Sequence, residues 1–372
     1  MTNIPLKIYY IALFFCNLVS YRVFVVLGFF IKFNNKKPQK VLIIPQRFLG
    51  DVVITSQVFE NLIALNPEVK ITILQYKSKI CEILYGDKLG QNLDKIISYT
   101  TLLDTIKQIR ACGHFDLLIR FSSSSARRSI VLLLAKCFRR YTIVREKKII
   151  KKTLPDGNKI KQNIANENYL LFCNKKLNGI LQTNFEPKFF LPLNEVKYKS
   201  TLPQNTIIIC AGASFLAKAY SMQNFDKLSR HLSSLGYHIA LLGGTLPHEQ
   251  HLPQHIYHNT LIAPVGDINE TLAKIKSAKL FISNDSGFAH VGAALGTPTL
   301  VIAAFMSMQM YGYSFLPNFY CIHSALPCFP CNVPSVNKNC PYYKNQNKPR
   351  VRCVDEISLA EVILKCETIL LR

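Results

Sequence analysis

The sequence predicts an α/β chain of two Rossmann-like halves facing a central cleft, preceded by an apolar N-terminal helix. Three observations carry that expectation. First, residues 279–283 are an apolar run of strand length, followed by the polar turn Asn284-Asp285-Ser286-Gly287. A small-residue helix over 288–295 comes next, stopped by Gly296, and 299–303 is another buried strand. This β-turn-α-β succession builds parallel sheets. Second, the same grammar stands near the start, where the strand 41–44 runs through the polar, glycine-containing loop 45–51 into a helix over 52–65. Third, the pattern weakens between about 186 and 204, with Pro187, Pro192 and Pro203, so two βα-rich stretches flank a linker. Ligands of open α/β sheets bind at the carboxyl ends of the strands, where helix N-termini also gather.

Taken in order, residues 9–33 are strongly apolar, interrupted by Asn17, Ser20, Arg22 and, near the end, Lys32, and are followed by Lys36, Lys37 and Lys40. The length suffices for a span of about 20 residues. Arg22 near its middle suits a helix lying in the head-group plane equally well. A span would put the Lys-rich side in the cytoplasm. A cleaved signal peptide is disfavoured, because Lys7 alone charges the n-region and no A-x-A site appears; an amphipathic helix packed on its own protein is the plainer reading. After the 52–65 helix, 69–74 is a strand. Residues 115–119 are another, leading through a serine-rich loop to Arg127-Arg128 and a helix over 129–138. Two cations at a helix start oppose the dipole, which favours an anion-binding role for that pair over a merely solvated start. Residues 145–163 are Lys-rich and read as a basic loop, and 166–174 as helical.

The second half runs through a strand over 206–209, a loop over 211–218, a helix over 223–235 and a strand over 237–242. A short extended piece at 261–264 and a helix over 268–277 follow, and 355–371 reads as a terminal helix. The expected organisation is a membrane-associating segment (1–39), a first Rossmann-like domain (40–190), a linker (191–204), a second Rossmann-like domain with a Cys-containing loop (205–353) and a C-terminal helix (354–372).

Composition bounds the partners. At 372 residues with 49% apolar content, the chain is long enough for two cores. Lys+Arg 45 against Asp+Glu 22 gives a net charge of +23, which suits an anionic partner. A Lys-rich composition with solvated faces is the plainer account of part of that excess. No pattern of a nucleic-acid-binding module accompanies the charge, so nucleic acid is not an expected partner. The 12 Cys are mostly scattered singly, which fits a reducing compartment, by default the cytoplasm.

Three blocks give the chain a resemblance to a known family. They are Arg47-Phe-Leu-Gly-Asp-Val-Val-Ile-Thr55, the loop Gly212-Ala-Ser with Lys218, and Ser283-Asn-Asp-Ser-Gly-Phe-Ala-His-Val-Gly-Ala-Ala-Leu-Gly-Thr-Pro298. In this order they resemble glycosyltransferase family 9, the group of the lipopolysaccharide heptosyltransferases. The resemblance covers the chain from about residue 40 onward. It implies a GT-B fold, with the acceptor bound by the first domain and a nucleotide sugar by the second. By position it implies Asp51 as general base, and Ser214 and Lys218 at the donor's phosphates. Glu249 falls at an acidic ribose or nucleotide contact, and Asp285, Ser286, Gly287 and His290 at the donor site. Arg47, Arg127 and Arg128 are the expected acceptor contacts. Two departures stand out. Ala219-Tyr220-Ser221 replaces the family's Arg-Trp-Pro, and Leu118-Ile-Arg-Phe-Ser122 lacks its Asp.

The residues support the same chemistry. Transfer from a nucleotide diphosphate sugar needs a base for the acceptor hydroxyl and positive charge for the leaving diphosphate. Asp51 in a cleft suits the first role; Lys218 and the backbone N–H groups near Gly287 suit the second. His290, one turn into the same helix as Gly287, is expected to hydrogen-bond a phosphate or the sugar, the alternative being a buried histidine satisfied by its own protein. Asp285 and Ser286 are equally good candidates for plain helix caps. No D-x-D pair occurs, so no divalent metal and no cofactor is expected, and direct displacement would invert the anomeric centre. The expected partners are a donor such as ADP-heptose, an anionic lipid-linked glycan such as the lipopolysaccharide core, and the inner membrane surface. A membrane-tethered sugar-nucleotide or glycolipid binder without catalysis is the alternative. Finally, Cys328, Cys331, Cys340 and Cys353 form a C-x2-C-x8-C-x12-C series. The C-x2-C pair has metal-knuckle spacing and four thiols suffice for a structural zinc site, but no second C-x2-C pair appears, and free thiols or disulfides pinning the loop are the other readings.

Overall fold

The computed structural model describes residues 37–75, 79–121, 137–143, 148–157, 159–164, 167–193, 198–213, 218–242, 260–263, 268–303, 311–331 and 352–372. The first half contains β1 (Lys40–Ile44), α1 (Leu49–Thr55), α2 (Gln57–Leu65), β2 (Lys70–Gln75), α3 (Ile80–Tyr85), β3 (Leu93–Ser98), α4 (Leu102–Ala111), β4 (Phe115–Phe121) and β5 (Cys137–Ile143). There follow β6 (Lys148–Thr153), β7 (Lys159–Ile164), α5 (Tyr169–Leu181), β8 (Thr206–Cys210), α6 (Met222–Ser234), β9 (His238–Leu242) and β10 (Thr260–Ala263). The remainder is α7 (Ile268–Ser277), β11 (Leu280–Asn284), α8 (Gly287–Ala294), β12 (Thr299–Ala303), β13 (Phe319–His323), α9 (Arg352–Asp355) and α10 (Leu359–Leu370).

The chain divides into two compact units, 1–47 with 58–144, and 48–57 with 145–372. The expected linker, 191–204, lies within the second unit. The first unit holds a five-stranded sheet in the order β3-β2-β1-β4-β5, with every pair parallel. Its central strand β1 carries the continuous apolar run Val41–Ile44 because a parallel sheet is covered on both faces. Leu42, Ile44, Leu74, Ile97, Ile109, Phe115 and Leu118 form one core there. The Asp116 carboxylate accepts from the backbone N–H groups of Gln39 and Lys40 and ties the start of β1 to β4.

The second unit holds a six-stranded parallel sheet, β10-β9-β8-β11-β12-β13. Its first strand, β8, lies in the middle; the chain winds outward to β10 on one side and resumes at β11 on the other. The reversal point between β8 and β11 is where this class of sheet opens a crevice for ligands. α10 returns onto the same sheet: Val362, Cys366 and Ile369 join Leu228 and Leu232 of α6 and Ile207 and Ile282 of the strands in one core. Its start is capped by Ser358, whose hydroxyl accepts from Glu361 N.

Several local expectations change. The helix expected over 52–65 begins earlier, at Leu49, and is two helices, α1 and α2. At their junction Thr55 Oγ1 donates to Asp51 O and Ser56 Oγ to Val53 O, the side-chain competition that weakens continuous helix. Cys137 and Phe138, expected to end a helix, open β5 instead. The basic loop at 145–163 contains the antiparallel hairpin β6–β7, in which Lys151 is the register partner of Lys161. The apolar segment 1–39 lies outside the described residues except for 37–39. Among the described residues, no helix is long and apolar enough to cross a membrane.

Candidate active site

Within the second unit, α1 and α8 meet at their amino ends, and two glycines permit the approach. A methyl group at Gly287 would stand 2.9 Å from Leu49 Cβ and 3.1 Å from Gly50 N. One at Gly50 would stand 3.4 Å from Gly287 Cα and 3.1 Å from His290 Nε2, and closer still to His290 Cδ2. Any larger residue at either position would push the two helices apart. Because Asp51 follows Gly50 in the first turn of α1, this contact brings Asp51 beside the turn that opens α8.

The turn is held from below. Asn284, at the end of β11, donates from Nδ2 to Ala211 O and accepts from Tyr220 N at 2.9 Å. It thereby fastens both ends of the 211–220 loop across the β8–β11 reversal. Lys218, from that loop, pairs with Asp285 at 2.8 Å, the two side chains being 15% and 8% exposed. The Ser286 hydroxyl lies 3.0 Å from the Ser283 hydroxyl and makes no capping bond to α8. Neither of the two expected caps is therefore spent on capping, and the first N–H groups of α8 face the turn with the positive end of the helix dipole. Such an end accepts an anion, a phosphate above all. Lys218 reaches it already paired with Asp285, so the local charge is close to balanced and the attraction comes from the aligned backbone dipoles.

His290 projects from α8 onto the Gly50 contact. Its Nδ1 is hydrogen-bonded to the Tyr313 hydroxyl, while among the described residues Nε2 has no hydrogen-bond partner. Part of its surface stays open; protein closes round the rest, and burial pushes its pKa down to about 4 despite the opposing Asp285 charge. It is therefore a neutral hydrogen-bonding group at ordinary pH. Tyr313 is fully buried between Phe189, Phe319 and the His290 ring. Its phenol is pushed well above the usual value, first by burial and then by the charges of Asp51 and Asp285. Tyr169 is shifted the same way by burial, with Cys173 and Asp51 adding to it. A carboxylate, an uncapped helix start, a neutral imidazole and two buried phenols thus share one neighbourhood.

The remaining supports are backbone ties. Asn168 caps α5 by accepting from Leu170 N, and donates from Nδ2 to Gly312 O. Gln57 Nε2 donates to Leu170 O, and Ser56 Oγ accepts from Phe190 N. These bonds fix α1, the start of α5 and the 311–313 segment to one another.

Of the residues expected from the sequence, Asp51, Lys218, Asp285, Ser286, Gly287 and His290 gather here. Ser214 and Glu249 lie outside the described residues, as do Arg127 and Arg128; Arg47 is exposed after β1 in the first unit. Cys331 and Cys353 pack against the core of the second sheet, and Cys328 beside Leu154; Cys340 lies outside the described residues. Among the described residues, no group of three or more His, Cys, Asp or Glu could hold a metal ion. Sequence reasoning missed Gly50 as a packing residue, Asn284 as the clamp, and Tyr313. The first two lie inside quoted motifs and show themselves through spacing; Tyr313 stands 23 residues from His290, in a segment without periodicity.

The structure is similar to E. coli ADP-heptose LPS heptosyltransferase II, with a TM-score of 0.64 at 18% identity, over 89% of this chain and 98% of that one. It is similar to the family 9 glycosyl transferase of Veillonella parvula, with a TM-score of 0.63 at 16% identity, over 90% and 97%. It also resembles E. coli heptosyltransferase WaaC with ADP-2-deoxy-2-fluoro heptose, with a TM-score of 0.60 at 13% identity, over 88% and 99%. At such identities the likeness is one of fold: an α/β chain with two parallel sheets, matching these GT-B-like enzymes. No curated protein matches the chain in sequence. The sequence model of glycosyltransferase family 9 (heptosyltransferase) matches residues 109–340, more than half of the chain. Two of the three motif blocks, 212–218 and 283–298, fall within that match, and the protein belongs to glycosyltransferase family 9, as a heptosyltransferase-like enzyme.

Proposed function

We propose that the protein is an inverting, metal-independent glycosyltransferase that moves a heptose-like sugar from a nucleotide diphosphate donor to a lipid-linked, anionic glycan such as the lipopolysaccharide core. The observation that carries this reading is the contact between α1 and α8. It brings the first turn of α1, which carries Asp51, beside an uncapped helix start, and this supports a base next to a diphosphate. In this reading the donor's diphosphate rests on the first N–H groups of α8, with Lys218 and Asp285 shaping the turn beneath it. Asp51 takes the proton of the acceptor hydroxyl as that oxygen attacks the anomeric carbon, and the bond to the diphosphate oxygen breaks on the opposite face. ADP-heptose is the donor chemistry that the E. coli enzymes suggest. The apolar, Lys-flanked segment 1–39 and the net charge of +23 favour work at the cytoplasmic face of the inner membrane, against an anionic acceptor.

The test is to incubate the full chain with ADP-heptose and a heptose-deficient lipopolysaccharide precursor, following ADP release and the anomeric configuration of the product. The reading predicts acceptor-dependent ADP release, undiminished by a chelator, with inversion. Donor binding without turnover on any lipid-linked glycan would instead favour a non-catalytic binder.

A further inference from the structure

We propose that Tyr313 is a positioning residue: its hydroxyl donates to Nδ1 of His290 and holds the imidazole in the tautomer that carries its proton on Nε2. His290 then presents an N–H donor on the Gly50 side of α8. The role assigned to that donor rests on the transferase reading above; the tautomer itself does not.

The bond between the two groups has two possible directions, and the surroundings choose one. Among the described residues, the Tyr313 hydroxyl reaches no acceptor other than His290 Nδ1. Were Nδ1 to carry the proton and donate to the phenol oxygen, the phenolic O–H would be buried with no acceptor, at the full cost of its desolvation. With the phenol as donor, its one proton is satisfied and only lone-pair capacity is left unused. The phenol is also the more acidic donor, and the imidazole nitrogen the more basic acceptor. A buried aromatic cage keeps the hydroxyl where it is: Tyr313 is 0% exposed, with Phe189 at 4.9 Å and Phe319 at 5.1 Å between ring centroids, edge to face.

The charged groups around the pair leave it neutral. Asp285 favours an imidazolium and Lys218 opposes it, with burial outweighing both. Asp51, Asp285 and Cys173 act on Tyr313, and all three, like burial, disfavour a phenolate. A neutral imidazole has one proton to give, so fixing its position decides whether Nε2 donates or accepts. The Cδ2–Nε2 edge is the one that lies over Gly50. Facing it, an anionic or hydroxyl oxygen of the bound donor would find an N–H, in keeping with developing negative charge on the leaving group. An Nδ1–H tautomer would instead turn a lone pair toward that oxygen and repel it where it is anionic.

The test uses the full chain labelled with 15N-histidine, without ligand. Long-range proton–nitrogen correlation distinguishes the two tautomers, and His290→Gln assigns the signal. The expected result is a bare Nδ1 and a protonated Nε2 in the native protein, with a mixed or reversed tautomer in Tyr313→Phe. That substitution keeps the ring and its packing, so a purely structural role would leave the tautomer unchanged. In turnover, kcat/KM for ADP-heptose is expected to fall roughly 10- to 100-fold in Tyr313→Phe, approaching the loss of one oriented donor. A protonated Nδ1 in the native protein, or an unaltered tautomer in Tyr313→Phe, overturns the proposal whether or not ADP-heptose proves to be the donor. Should Tyr313→Phe fail to fold, the native spectrum alone decides. If the tautomer is as proposed but no nucleotide sugar is turned over, the transferase reading fails and the positioning of His290 stands.

Discussion

His290 shows how much of the site's behaviour is settled by the surroundings of one side chain. Its ordinary value of 6.5 is lowered to about 4 by burial, so the unfolded chain binds a proton at this position more readily than the folded one. The sign follows: the neutral form's contribution is complete above about pH 6.5 and is lost as pH falls toward about 4. The full difference is on the order of 3 kcal/mol. Denaturation midpoints of the native protein and His290→Gln, measured from pH 7 downward, should therefore converge through that window. A constant gap between the two would contradict the burial of a neutral imidazole. The same side chain marks a limit of sequence reading. The sequence singles out a histidine one turn into a helix that starts with glycine, but not its hydrogen-bond partner, a tyrosine brought in by tertiary packing.

Among the elements, the α1–α8 contact decides whether Asp51 is in place. Gly50→Ala would add a methyl group against His290 Cδ2 and Gly287 Cα. Overpacking of this kind costs about 1–3 kcal/mol, against about 1 kcal/mol that a helix gains from exchanging Gly for Ala. The expected outcome is a lower denaturant midpoint together with loss of turnover; a raised midpoint with full activity would mean that the helices do not rely on this approach. Elements buried on both faces were the legible ones, because β1, β8, β11 and β12 each carry an apolar run of three or four residues. The edge strand β3, Leu93-Asp-Lys-Ile-Ile-Ser98, and the Lys-rich hairpin β6–β7 carry no such pattern. Backbone pairing holds the hairpin although register sets Lys151 opposite Lys161, so composition suggested a loop there. The early start of α1 was hidden for a related reason: Gly50 and Asp51 read as loop residues until the contact they serve is known.

At the scale of the whole molecule, two parallel α/β sheets were expected from the alternation of apolar runs and polar turns, and two are present. The division of the chain was less legible. A ten-residue excursion, 48–57, belongs with the second unit although β1 before it and most of α2 after it belong with the first. No composition shift marks that excursion, since its apolar residues pack as well in one core as in another. Its effect is to set Asp51, near the amino end, in the same unit as the motif at 283–298, and that joining is what the transferase reading requires. The most direct test is to measure donor binding and turnover side by side for the native protein and Asp51→Asn. Removal of a general base predicts a fall in kcat of at least about 100-fold, with the dissociation constant for ADP-heptose nearly unchanged. Turnover equal to that of the native protein would contradict the account.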